Sequence, residues 1–141
     1  MADFAVFTRN YSKHIVVSQS SAVFRSSVRW ASPAKALEKG QHVDVYISVE
    51  GNGDVAFRAR PARVMLSPEE NDPEVKEMLA KCPESTEEEG LWDGGVKTLY
   101  ELADIAKVET PFHFTELKRL QGGNNISSAY SRSYCLVQAI D

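Results

Sequence analysis

Cysteine is scarce in this chain: Cys82 and Cys135 are its two, and they lie far apart. Such spacing argues against a disulfide framework and a zinc ribbon, and it suits a reducing cytoplasm. No apolar run approaches the ~20 residues of a membrane span. The N-terminal stretch Met1 to Arg9 has no basic segment leading into an apolar one, which speaks against secretion. His14, His42 and His113 are scattered and no Cys-x-x-Cys occurs, so no metal site is expected. A Gly-x-Ser-x-Gly nucleophile elbow is also missing. Gly51-Asn-Gly53 lacks the Gly-Lys-Ser/Thr of a phosphate loop and stands between two strand-like segments, so it reads as a turn. Cys82 on an apolar helical face and Cys135 in a strand read as buried thiols rather than nucleophiles. These absences assign no catalytic residue and no cofactor, and they favour a protein without catalysis of its own.

What is present suits one soluble domain over residues 1–141, with 43% hydrophobic and 26% charged residues. The net charge of −4 hides a partition: residues 1–66 carry +4, residues 67–93 carry −8, and the rest is neutral. The stretch 67–93 therefore reads as an acidic surface insertion on a mildly basic body, which leaves room for an anionic ligand.

Hydrophobic patterning gives the elements. His14–Ser18 reads as a buried strand and Phe4–Phe7 as another strand or an ordered arm. Ser20–Trp30 is ambiguous, since Phe24 and Val28 allow a helical turn. Ser32 as N-cap, Pro33 in the first turn and Gly40 after the end frame a short helix. Val43, Val45, Ile47 and Val49 alternate with Asp44, Tyr46 and Ser48, the mark of a strand. Its partner runs from Asp54 to Leu66, with Val55, Phe57 and Ala59 on one face and Arg58 and Arg60 on the other. Pro61 places that strand at an edge or in a bulge. Asp72-Pro73 opens a helix reaching Cys82, ahead of an exposed loop at Ser85–Gly90. Val96–Ile105 reads as a long strand, Thr115–Leu120 as a short helix closed by Gly122-Gly123, and Tyr130–Ile140 as a final strand. Strands interrupted by short helices point to an α+β, mainly β fold: a small mixed or antiparallel β-barrel with peripheral helices.

Aromatic and basic residues recur on the polar side of these strands. Trp30 follows Arg29. Tyr46 and Ser48 share a face, as do Arg58 and Arg60. Trp92 ends the acidic loop, and Ser131-Arg132-Ser133-Tyr134 enters the last strand. Such residues can stack a planar base while donors meet its edge or a phosphate.

In this order of features the chain resembles the PUA-like superfamily, nearest its EVE branch, which is related to YTH and ASCH domains. The resemblance runs over about residues 14–138. It rests on Ile15-Val-Val-Ser18, Trp30, Lys39-Gly-Gln-His-Val-Asp-Val-Tyr-Ile-Ser48, Val55-Ala-Phe-Arg-Ala-Arg60, Leu91-Trp-Asp-Gly-Gly-Val-Lys-Thr-Leu-Tyr100, Pro111–Leu117 and Ser131–Val137. Gln41 stands where the family has an Asp, and the ASCH signature Gly-x-Lys-x-x-Glu-x-Arg is missing. The resemblance implies a PUA-like β-barrel whose cleft binds RNA, DNA or a modified nucleobase. The expected nucleotide-binding residues are Ser18, Trp30, Tyr46, Ser48, Arg58, Trp92 and Arg132. The alternatives are a small hydrolase or nuclease using the same cleft, and a protein-interaction domain acting through its acidic segment.

Overall fold

The computed structural model describes residues 2–10, 21–49, 53–69, 71–81, 96–130, 132 and 134–140. Among these residues, six strands and two helices follow one another as β1 (Phe4–Asn10), β2 (Ser21–Ser26), α1 (Ala31–Glu38), β3 (Val43–Val49), β4 (Asp54–Leu66), α2 (Pro73–Leu79), β5 (Thr98–His113) and β6 (Tyr134–Val137). A 3₁₀ turn, Phe114–Glu116, follows β5. The strands form one sheet in the order β2-β5-β4-β3-β1-β6. β1 and β3 are parallel, from Phe4 opposite Val43 to Asn10 opposite Val49. The other neighbours are antiparallel. Among the described residues the sheet stays open, with β2 and β6 as its edges. The closed barrel is therefore corrected to an open sheet, while the mainly β class stands.

The alternation of β3 buries both faces of the sheet. Val43, Val45 and Ile47 join Val6, Phe24 and Tyr100 on the face where Trp30 and Ala36 pack. Tyr46 points the other way, among Phe7, Cys135 and the side chains of Phe114, Leu117 and Ile126. A third cluster holds Val75 and Met78 of α2 against Val23 and Leu99. No described helix is long and apolar enough to cross a membrane.

The expected β3–β4 hairpin forms, with Val45 opposite Ala59 and Ile47 opposite Phe57. Its turn residues Gly51 and Asn52 lie outside the described residues, as do His14–Ser18, Cys82 and the Ser85–Gly90 loop. β4 is an interior strand, so Pro61 sits in a bulge: the register against β5 slips between Pro61 and Arg63. A second slip lies between Arg58 and Arg60, opposite Ala106 and Ala103, where β5 carries an extra residue. Asp104 occupies that bulge at φ 54°, one of the few side chains that enter the left-handed region readily. Slips beside Ile47 and Val55 turn Val55 into the second cluster while Phe57 packs against the first. The shared face expected for Val55, Phe57 and Ala59 is thus broken.

Other elements differ from expectation. Ser21–Ser26 is a strand, so Phe24 and Val28 share no helical turn. Trp30, not Ser32, is the N-cap of α1, while Gly40 follows the C-cap Lys39 at φ 72° as expected. Asp72 caps α2 by accepting from the Glu74 N–H at 2.9 Å. Thr115–Leu120 is not a helix. After the 3₁₀ turn Leu117 extends, and the next amides find β-type partners: Arg119 N–H donates to Asn124 at 2.8 Å and Leu120 N–H to Leu136 at 3.0 Å.

Candidate nucleic-acid interface

The residues singled out from the sequence do not converge on one cleft. Trp30 is wholly buried. Its ring stacks on Tyr100 at 3.9 Å between centroids and 16° between planes, and Tyr134 leans on it at 5.3 Å. Its backbone N–H donates to the Thr98 hydroxyl at 3.1 Å, which in turn donates to the Val28 carbonyl at 2.8 Å. The indole N–H donates to Ser26 at 3.3 Å. Every polar and apolar part of this tryptophan has a partner within the fold, which leaves it no free face for a base.

Tyr46 is equally buried, on the opposite face of the sheet. Its hydroxyl accepts from the Ile140 N–H at 2.9 Å. Burial, foremost, raises its pKa above the usual tyrosine value. Ser48 is fully buried too, and its hydroxyl has no hydrogen-bond partner among the described residues. Arg58 lies over the Tyr46 ring at 5.6 Å and pairs with Asp44 at 2.8 Å. Arg58 lines a cavity of about 460 Å³ together with His42, Asp44, Arg60 and Pro61. Arg60 is held by Asp104 at 2.5 Å. Both arginines there are already matched by carboxylates. Ser18 and Trp92 lie outside the described residues.

Arg132 stands in a different place. It lines a cleft of about 250 Å³ with Arg119, Gln121, Tyr130, Tyr134 and Cys135. No residue lines both cavities. The entry of β6 supplies Tyr134 and Cys135, the segment before it supplies Tyr130 and Arg132, and the extended chain after the 3₁₀ turn supplies Arg119. Arg119 and Arg132 are exposed, and among the described residues neither is paired with a carboxylate. The Arg119 guanidinium lies over the Tyr130 ring at 5.9 Å. The Tyr130 hydroxyl donates to the Tyr134 carbonyl.

Both phenols hold their protons more tightly than usual. Burial raises the Tyr130 pKa most, and the Cys135 thiol adds to it, while Arg119 and Arg132 pull the other way. Tyr134 is pushed up to about 12, by burial first and then by Cys135 and Tyr130. At neutral pH the cleft therefore brings two neutral tyrosines together with two positive charges, one of them over the Tyr130 ring. Rings of this kind can stack a base, and guanidinium groups can take a phosphate in a bidentate grip. Among the described residues no group of three or more His, Cys, Asp or Glu side chains gathers as a metal site would require.

The sequence pointed to Arg132 and to Tyr134 beside it, but not to Arg119 or Tyr130. Arg119 was hidden by the helical reading of Thr115–Leu120. Tyr130 was hidden because the strand begins four residues later, at Tyr134. No family model matches the chain, and no curated protein matches it.

Proposed function

We propose that this protein is a non-catalytic module that binds single-stranded nucleic acid or a modified nucleotide in the cleft between Tyr130 and Tyr134. One observation carries the reading: two exposed arginines without carboxylate partners among the described residues line one cleft with two partly buried tyrosines, Arg119 lying over the Tyr130 ring. In the other cavity, by contrast, Arg58 and Arg60 are matched by Asp44 and Asp104. The cleft is smaller than the ~300–1,000 Å³ of pockets for drug-sized ligands, a size suited to one base rather than a stacked pair. The resemblance to PUA-like and EVE domains supports the same ligand class. The two-cysteine composition supports a cytoplasmic location.

The stacking role expected of Trp30 passes in this reading to Tyr130 and Tyr134, with Trp30 as the support behind Tyr134. The acidic stretch 67–93 repels polyanions at long range, so unmodified duplex binds poorly. The test is a titration of single-stranded RNA, single-stranded DNA and modified nucleosides at low salt against wild type and Tyr134→Leu. Loss of one stacking platform lowers affinity by about 1–3 kcal/mol per base. Absence of saturable binding by all three ligand types removes this reading in favour of a protein-interaction domain.

A further inference from the structure

We infer that Arg9 is the positioning residue of the Tyr130–Tyr134 cleft, although it lies more than 120 positions away in the chain. Arg9 sits on β1 with its guanidinium 5.3 Å from the Phe7 ring centroid and 4.9 Å from that of Phe114. It takes no described carboxylate partner. Its two terminal nitrogens donate instead to main-chain carbonyls, one to Tyr130 at 2.7 Å and the other to Arg132 at 2.5 Å. These carbonyls lie just before β6, whose ladder with β1 begins at Tyr134 opposite Thr8.

The planar fork of an arginine can hold two acceptors at a set spacing, which a lysine ammonium on one flexible stem does poorly. The rings of Phe7 and Phe114 fix the plane of the fork. The fork fixes the carbonyls at 130 and 132. Those carbonyls set where Tyr130 and Arg132 stand in the cleft that they line together with Cys135. Arg9 itself does not line the cleft, so it acts through the segment it holds.

Two readouts test this, one of which needs no ligand. In a Cys82→Ser background, Cys135 is the only thiol, and it is buried where it lines the cleft. Arg9→Ala is expected to speed its modification by a thiol reagent about tenfold or more, through loss of two charge-assisted hydrogen bonds. Millimolar guanidinium ion, occupying the vacated space, is expected to slow it again. Arg9→Lys keeps the charge beside the two rings and is expected to fall between the two, which preserves the test if the alanine variant does not fold. The second readout rests on the proposed binding function: affinity for a labelled single-stranded oligoribonucleotide falls by a similar factor in Arg9→Ala and returns with guanidinium. Unchanged thiol reactivity in both Arg9 variants, or a change that guanidinium does not reverse, overturns the inference. Wild type that fails to bind the oligoribonucleotide while the thiol readout behaves as expected counts against the proposed function alone.

Discussion

Trp30 and Tyr134 touch, yet one belongs to the core and the other to the cleft. The distinction follows from burial. Trp30 is wholly buried against Tyr100, whereas Tyr134 is only partly buried and lines the cleft with Arg119 and Arg132. Trp30→Ala is therefore expected to act on stability, costing about 3–5 kcal/mol as a large-to-small change in a packed core, to be read by denaturant unfolding. A variant that keeps full stability and loses only ligand affinity would contradict that placement. The sequence showed Trp30 beside Arg29 and Tyr46 beside Ser48 and could not show that both are covered. What covers Tyr46 comes from residues about seventy positions on, at Phe114, Leu117 and Ile126. Such distant packing leaves no trace in local alternation.

Elements with a local cause were the legible ones. The β3–β4 hairpin announced itself by alternation, and α2 by Asp72-Pro73 and the buried pair Val75 and Met78. Asp72→Ala removes the bond to the Glu74 N–H and is expected to cost about 0.5–2 kcal/mol, measured by thermal or urea unfolding. A loss near zero would mean that docking rather than capping holds α2. That docking is substantial: Arg63 on β4 reaches Glu74 and Glu77 of α2 at 3.6 Å and the nearly buried Glu101 of β5 at 3.2 Å. Elements decided by distant partners were misread. Leu117 and Leu120 have helical spacing, but the chain there turns once and then pairs with the edge of β6, since Leu136 and Asn124 offer acceptors to its amides. β5 runs on to His113, well past Ile105, because thirteen residues of β4 give it a partner over that length.

At the scale of the whole molecule, the first and last described strands pair with each other. β1 lies between β3 and β6, with Ala5 opposite Val137, and Ile140 bonds to Tyr46. The barrel expected from the succession of strands does not arise because β2 and β6 end up on opposite edges of one sheet. Strand order is set by which ladders win globally, and hydrophobic pattern alone does not encode it. Three buried or partly buried tyrosines, Tyr46, Tyr130 and Tyr134, all have raised pKa values. An unfolded chain gives up these protons near pH 10, so above that pH the native state binds more protons than the unfolded one. Their contribution to stability is complete below about pH 10 and is lost as pH rises through the folded values, up to about 12 for Tyr134. The melting temperature is expected to fall steadily between about pH 10 and pH 12. A flat profile there would show that these phenols are not protected.

Phosphate binding at the cleft is read out by the salt dependence of single-stranded oligonucleotide binding, compared between wild type and the double variant Arg119→Ala, Arg132→Ala. Each phosphate contact on a single strand contributes about −0.7 to the slope of log K against log salt. If both arginines grip phosphate at the Tyr130–Tyr134 cleft, the double variant binds more weakly and its slope is shallower by about 1.4. If the two proteins give the same affinity and the same slope, the phosphate is held elsewhere and the cleft is not the binding site.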